Sequence, residues 1–421
     1  MDDRFLAYKI LSKIERDKAY SNIAVDAVLN QNEVSSAPFV CALVYGVIER
    51  KITLDYYLSQ FLTQPLKKLN PQVLTILRMG VYQIKYMDKV PVSAAVNESV
   101  KLSKKVKCAF ASGLINSVLR KIASNEIELP NTDNKIYNMS IAYSCPESLV
   151  TRFVNDYGYI KAEDILKASV GAVPIFLRVN TLKTTSNELI DILAKECITA
   201  KSLGNGTTLE VIDGGAVFKT DAYKKGYFHA QDLASQDCIS NLAPQKNDIV
   251  FDMCAAPGGK SFTMAEMMEN QGEIYSFDLY DHKIKLINDG AKRLGIDIIN
   301  AHIGDASVYN PDLPKADKIL CDVPCAGLGV IRRKPEIKYK DFGFVDKLCE
   351  LQYNILNNAS LYLKNKGVLM YSTCSLSKRE NEEVCRRFLD EHKDFRNDGI
   401  VTMFPYEKRS DGFFFARFVR E

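Results

Sequence analysis

Residues 248–278 read DIVFDMCAAPGGKSFTMAEMMENQGEIYSFD. An apolar run ends at Asp252, small residues and two adjacent glycines follow, a helical stretch starts at Lys260, and a second apolar run ends at Asp278. Strand, tight turn, helix and strand in that order make the unit from which parallel sheets are built. Downstream, KIKLINDGAKRLG reads as a helix, IINAHI and ADKILCDV as strands, Lys347 to Leu363 as a long helix and GVLMYST as a strand. GIVTMF and FFFARFVR, joined by a turn at YEKRSDG, add a final hairpin with an antiparallel strand. Residues 236–421 are therefore expected to form an α/β domain on a doubly wound sheet, with ligands beyond the carboxyl ends of its strands.

Upstream the periodicity is different. FLAYKILSKI, SNIAVDAVL, FVCALVYGVIERKI, PQVLTILRMGVYQIKYM, VSAAVNESVKL and FASGLINSVLRKI carry apolar stripes at helical spacing, so residues 1–130 should be all-helical, with ELPNTDN as a linker. Residues 138–235 mix helical stretches (CPESLVTRFVNDYG, SNELIDILAKE) with short strands (PIFLRVNTL, TLEVID, GYFHA), which reads as a small α+β module.

The 421 residues are 47% hydrophobic and 25% charged, the balance of a folded multidomain protein. No run reaches the roughly 20 apolar residues of a membrane span, and the N-terminus lacks signal-peptide form, so a cytoplasmic protein without a membrane partner is expected. The eleven cysteines have neither disulfide-framework nor zinc spacing, which predicts reduced thiols and no metal. Residues 1–140 hold 19 basic against 13 acidic side chains, whereas the remainder has a small acidic excess. A basic module attached to a near-neutral one points weakly to a polyanion, although solvated helix faces give the same count.

The turn Cys254, Ala255, Ala256, Pro257, Gly258, Gly259, Lys260 lets a ligand approach the backbone at a helix N-terminus. It lacks the G-x-G-x-x-G register of a dinucleotide site, and the upstream glycine of a P-loop falls on Cys254. Adenosine without phosphates fits better, with Asp278 accepting both ribose hydroxyls. S-adenosylmethionine is the expected cofactor, its amino-acid moiety facing the loop. Asp305 would meet the adenine amino group, although a helix cap or turn explains an Asp there nearly as well.

DVPC (322–325) and STCS (372–375) each follow an apolar strand, so Cys325 and Cys374 should reach one edge of the sheet, beside Asp322. Methylation at C5 of a pyrimidine needs that arrangement. A thiolate adding to C6 makes C5 nucleophilic, Asp322 can stabilise charge at N3, and a second thiol can assist release of the product. Spacing alone leaves open which thiol does which.

CAAPGGK, DVPCAGLGVIRRKPEIKY and YSTCSLSKREN, in this order and preceded by FHAQDLASQ, resemble the signature blocks of the cytosine-5 RNA methyltransferases, bacterial RsmB/Sun branch. LVYGVIER, LRMGVYQIKYM, VPVSAAVNESV and INSVLRK resemble the NusB-type RNA-binding domain, so the resemblance spans nearly the whole chain. It implies a Rossmann-like catalytic domain, small-subunit (16S) ribosomal RNA as partner, Cys374 as nucleophile and Cys325 as promoter of release. It also implies cofactor contacts at residues 254–260, Asp278, Asp305 and Asp322, and a monomer is expected. Ala326 replaces the usual serine after the Pro-Cys pair, and Lys283 a common arginine.

IRRKPEIKYK (331–340) reads as a phosphate-binding loop beside the site, or else as a solvated turn. Lys101, Lys104, Lys105 and Lys107 form a candidate RNA-contact run. Competing readings are a transfer RNA cytosine-5 methyltransferase, a non-catalytic RNA-binding antitermination factor, and a nucleotide-dependent oxidoreductase. The last is disfavoured by the missing dinucleotide loop.

Overall fold

The structure is a computed structural model and describes residues 2–17 and 20–421. The chain forms two compact units, one made of residues up to Gly171 together with Ile331–Lys340, the other of Ala172–Val330 and Asp341–Glu421.

The first unit is helical: α1 (Asp3–Asp17), α2 (Ser21–Leu29), α3 (Ala37–Glu49), α4 (Lys51–Ser59), α5 (Pro71–Tyr86), α6 (Val92–Lys105), α7 (Ser112–Ser124), α8 (Lys135–Ala142) and α9 (Glu147–Ala168), the last kinked at Gly158. Local chemistry sets several of these boundaries. Asn70 caps α5 by accepting from the Gln72 N–H at 2.8 Å, and Pro71 occupies the first helical position, where a missing N–H is harmless. The stripe Ile115, Val118, Leu119 and Ile122 on α7 is fully buried and joins one core with Leu6, Ile10, Leu43, Val44, Ile76 and Leu77.

Residues 331–340 belong to this unit, and one of the five cations of the expected phosphate-binding loop, Lys338, is taken inside it. Ile331, Pro335, Ile337 and Lys338 are buried. The Lys338 ammonium donates to the Glu49 carbonyl at 2.7 Å, and the Tyr339 hydroxyl to the Ile48 carbonyl at 2.8 Å. The Glu336 carboxylate accepts from the Ser21 N–H and hydroxyl at the start of α2. Burial pushes the Lys338 ammonium down to about 8, so this residue supplies packing, while Glu336 caps α2 and Lys334 stays exposed.

In the second unit a small antiparallel sheet comes first, built from β1 (Ile175–Val179), β2 (Thr199–Ser202), β3 (Thr208–Asp213) and β4 (Phe228–Ala230) in the order β2-β3-β1-β4. Its helices are α10 (Ser186–Lys195) and α11 (Asp221–Lys224), and α10 starts with a Thr185/Glu188 capping box. Then come α12 (Leu233–Leu242), β5 (Ile249–Asp252), α13 (Gly259–Met267), β6 (Glu273–Asp278), α14 (Asp281–Leu294), β7 (Ile299–Ile303) and β8 (Ala316–Asp322). The chain ends with α15 (Val345–Ser360), β9 (Leu363–Thr373), α16 (Glu382–Glu391), β10 (Phe395–Met403), α17 (Pro405–Lys408) and β11 (Phe413–Arg420).

The large sheet has the order β10-β11-β9-β8-β5-β6-β7, parallel from β9 to β7, with β11 antiparallel to both β9 and β10. The α/β domain with a terminal antiparallel hairpin is thus present as expected, after a helical N-terminus and a small α+β module. Alternate strand residues face opposite cores: Val250, Ile274, Leu320 and Met370 pack with α12, α13 and α14, whereas Phe251, Ile319, Leu369 and Tyr371 pack with α15 and α16. From β5 the chain winds outward to β6 and β7 and then returns to β8 on the other side of β5. The switch point therefore lies between β5 and β8, where a ligand crevice is expected.

Candidate active site

The turn after β5 is held from several sides. The Ala255 N–H donates to the Phe277 carbonyl at 2.8 Å, the Gly258 N–H donates to the Ala255 carbonyl at 2.7 Å, and the Ala256–Pro257 peptide is cis. Gly258 has φ +105°, and a Cβ there would lie 2.4 Å from the Phe262 ring. Glycine is required on both counts. Gln231, from FHAQDLASQ, donates to the Gly259 carbonyl at 3.1 Å and accepts from the Thr263 hydroxyl at 2.8 Å, bracing the start of α13.

A cleft of about 240 Å³ opens at the switch point and is lined by Cys254, Ala256, Asp278, Lys283, Asp305, Asp322 and Pro324, among others. Five of the ten expected cofactor residues thus share one cleft. Ala255, Pro257, Gly258 and Gly259 form the turn beneath it. Lys260 turns instead to Asp322, with its Nζ 2.6 Å from Oδ2. Burial opposes the charge on Lys260, but the attraction and hydrogen bond of Asp322 outweigh it, and the ammonium is held above its ordinary range. Asp278 is 8% exposed and pairs with Lys283 at 3.2 Å.

Asp305 is exposed, and its Oδ1 accepts from the Ser307 N–H and hydroxyl, which lower its carboxyl below the usual range. The turn role anticipated for this residue is therefore real, and it coexists with a place on the cleft. A neighbouring cavity of about 460 Å³ shares Met253, Gly304, Asp305 and Ala306 and adds Phe277, Val308 and Leu313. Buried Asp252 accepts from the Ser261 hydroxyl at 2.7 Å, while its Oδ1 has no hydrogen-bond partner. Desolvation raises its carboxyl to about 7.

Strand register brings the two thiols together. Asp322 lies opposite Ser372 in the β8–β9 pair, and the Ser372 hydroxyl donates to Asp322 Oδ1 at 2.9 Å. Cys325 is three residues beyond the one and Cys374 two beyond the other, and their sulfurs stand 3.0 Å apart, both thiols free. The hydrogen bond to Cys374 and burial push the Cys325 thiol well above its usual range, so it keeps its proton and can donate to the Cys374 sulfur. The Gly329 N–H donates to the Cys374 carbonyl at 2.9 Å, and a Cβ on Gly329 would lie 1.8 Å from the Gly412 carbonyl oxygen.

Glu380 and Asn381 close the YSTCSLSKREN block, and their sequence context points to no role. Both are fully buried behind the thiols, where Asn381 accepts from the Thr373 hydroxyl at 2.6 Å and donates to the Ser375 carbonyl at 2.9 Å. A carboxylate and an amide in a polar stretch after a strand read as solvated from sequence alone; only the fold shows them turned inward.

An adenosine cofactor carrying a sulfonium fits these residues. Asp278 offers carboxylate oxygens at the end of β6, the α13 N-terminus faces the turn, and the apolar walls of the adjoining cavity suit a base.

Comparisons with known proteins agree with this architecture. The family model for 16S rRNA methyltransferase RsmB/F matches residues 239–419, that for the NusB family residues 1–124, and that for the RsmF/B-like ferredoxin-like domain residues 145–210. The chain is 35% identical to the probable ribosomal RNA small subunit methyltransferase B of Bacillus subtilis (strain 168), over 98% of this chain and 97% of that protein. With the protein of the same description from Synechocystis sp. it shares 32% identity, over 98% of each. Among solved structures, PH0851 superposes with a TM-score of 0.82 at 24% identity, covering 99% of each chain. NSun6 from Pyrococcus horikoshii, solved with SFG, superposes with a TM-score of 0.61 at 24% identity, over 65% of this chain and 98% of that one. Identity of this extent over the full length, with the NusB, ferredoxin-like and methyltransferase parts following one another along the chain, shows that the chain belongs to the family of ribosomal RNA small subunit methyltransferase B.

Proposed function

We propose that this protein transfers a methyl group from S-adenosylmethionine to C5 of a cytidine in small-subunit ribosomal RNA, through a covalent adduct of Cys374, in the cytoplasm. The observation that carries this reading is the pair of free thiols 3.0 Å apart at the ends of β8 and β9, beside Asp322 and the cleft that holds Asp278.

S-adenosylmethionine supplies an electrophilic methyl when bound. The chain would hold it through Asp278, the turn at residues 254–260, and Asp305 on the adenine side. The Cys374 thiolate bonds to C6 of the cytosine, and N3 takes up a proton by way of Asp322, given back on elimination, so that the negative charge developing there is neutralised and electron density at C5 can attack the methyl. A base then takes the C5 proton, the C6–S bond breaks, and its electron pair returns to the Cys374 sulfur. The protonated Cys325 thiol donates a hydrogen bond to that departing thiolate. Attack on C6 runs perpendicular to the ring, so the target cytidine must be unstacked.

The test is transfer of labelled methyl to unmethylated small-subunit ribosomal RNA with the product nucleoside identified, for wild type, Cys374→Ala and Cys325→Ala. 5-Methylcytidine from wild type alone, with a protein–RNA adduct accumulating in Cys325→Ala on a denaturing gel, supports the reading. A Cys374→Ala protein that still makes 5-methylcytidine would overturn it. Transfer to transfer RNA alone would leave the chemistry in place and change the substrate.

A further inference from the structure

The buried Glu380 carboxylate touches both cysteine loops. Its Oε1 accepts from the N–H of Ala326, the residue after Cys325, at 2.7 Å, and from Gln352 Nε2 at 3.1 Å. Its Oε2 accepts from the hydroxyl of Ser375, the residue after Cys374, at 2.6 Å. The same Gln352 amide donates to the carbonyl of Pro324, the residue before Cys325, at 2.8 Å, and the Tyr371 hydroxyl donates to the Glu380 backbone carbonyl at 2.5 Å. One carboxylate thus links loops that lie 49 residues apart in sequence and whose sulfurs are 3.0 Å apart.

A purely structural plug at this place would be cheaper without charge, because a carboxylate taken from water loses much solvation and here gains only neutral donors. The charge makes sense next to a thiol that must stay protonated, and Glu380 acts in that direction on Cys325, after the larger effects of Cys374 and burial. Charge-assisted hydrogen bonds are also shorter and more directional than neutral ones, which suits a clamp.

We propose that Glu380 is the positioning residue of the thiol pair. It holds the Cys325 and Cys374 loops at the spacing at which one sulfur leaves the base while the other donates to it. The inference deepens the reading above and rests on the roles given there to the two thiols. Glu380 touches no reacting atom and acts only through its neighbours. The Gly329-to-Cys374 backbone bond remains when the carboxylate is removed, so the loops loosen without separating.

The experiment compares full-length wild type, Glu380→Ala and Glu380→Gln. Glutamine can keep its oxygen toward the Ala326 N–H and Gln352, while its amide donates to a Ser375 hydroxyl turned to accept, so it preserves the clamp and removes the charge. Glu380→Ala should lower kcat about 10- to 100-fold, the scale of a displaced reacting group, with KM for RNA and Kd for S-adenosylmethionine changed less than about threefold. Glu380→Gln should recover most of kcat. Without the carboxylate charge the Cys325 thiol becomes more acidic, so the high-pH limb of its kcat profile should move to lower pH.

A second readout needs no turnover. Diamide takes two electrons and two protons from a close thiol pair, leaving a disulfide and the hydrazine form of the reagent. Peptide mapping should show the Cys325–Cys374 bond forming about tenfold more slowly in Glu380→Ala than in wild type or Glu380→Gln. Equal rates in all three proteins, or wild-type kcat in Glu380→Ala, overturn the clamp. A glutamine variant as inactive as the alanine one, with cofactor binding also lost, overturns it as well. The expected diamide pattern in a wild-type protein that makes no 5-methylcytidine supports the clamp and counts against the methyl-transfer reading alone.

Discussion

Lys260 and Asp322 are joined by a 2.6 Å ion pair that ties the turn after β5 to the end of β8. The lysine of the glycine-rich turn thus serves a carboxylate across the switch point. Its ammonium also lies 5.3 Å from the Phe413 ring centroid.

Removing that cation should affect the cleft and the fold together. Lys260→Met leaves Asp322 partly buried without its counter-charge. We expect a loss of stability of roughly 1–3 kcal/mol in urea unfolding, below the range for a fully buried pair because both side chains keep some solvent access. Methyl transfer should fall at least about 100-fold, with partial recovery in Lys260→Arg.

Asp252 gives stability a distinctive pH dependence. Its carboxyl is raised from 3.8 to about 7 by burial, so between those values the folded state binds a proton that the unfolded state has released. Stability from this group is therefore full below pH 4 and is lost as pH rises toward 7. Asp252→Asn removes the dependence. Its unfolding free energy relative to wild type should rise by roughly 1–4 kcal/mol between pH 4 and pH 8. A constant difference across that range would show that the carboxyl titrates normally.

Lys338 separates packing from RNA binding. Its folded-state value of about 8 lies below the ordinary 10.5, so the buried charge weighs against folding below pH 8 and the penalty fades as pH rises to 10.5. Lys338→Met should be most favourable relative to wild type at neutral pH, with the gap narrowing toward pH 10. The slope of RNA affinity against salt should not change, because a buried ammonium releases no phosphate counter-ions.

The exposed lysines of α6 make the opposite case. Lys101 is held by Glu98 at 2.7 Å and Lys105 lies 4.3 Å from the centre of the Phe5 ring, whereas Lys104 and Lys107 stand exposed near the helix end. If this run contacts RNA, Lys104→Gln with Lys107→Gln should weaken binding evenly across sequences and reduce the salt slope by about 0.7 per lost contact. An unchanged slope in a filter-binding titration would return the run to a solvated helix face.

Strands β5, β6, β8, β9 and β11 were legible because each is a largely buried run of apolar residues bounded by polar turns, whereas the more exposed β7 and β10 still carry the short apolar stretches IINAHI and GIVTMF. All seven stretches read as strands in residues 248–420 are strands in the fold. The edge strand β2, TAKS, carries no such signal, since three of its four residues are exposed. The meeting of Cys325 and Cys374 could be anticipated from strand ends, but the register that brings them to 3.0 Å is a property of the pairing. Glu380 and the segment 331–340 were not legible for a shared reason. Charged residues in short motifs look like surface, and only long-range contacts, to Ala326 and Ser375 in one case and to Ile48 and Glu49 in the other, take them inside.

Residues 331–340 also set a timetable for biosynthesis. The helical unit needs this segment for part of its core, yet the ribosome delivers it about 160 residues after Gly171. Until then the unit waits with Ile48 and Glu49 lacking the hydrogen bonds of Tyr339 and Lys338 and with Ser21 uncapped by Glu336. The same interval contains the turn after β5 and the Cys325 loop. A gene cut after residue 171 should yield an N-terminal piece that folds less firmly than its counterpart in the whole chain. The complementary piece would carry Lys338 and Tyr339 without the Glu49 and Ile48 carbonyls that accept their hydrogen bonds. Completion of the N-terminal half is thus delayed until most of the catalytic half has been synthesised.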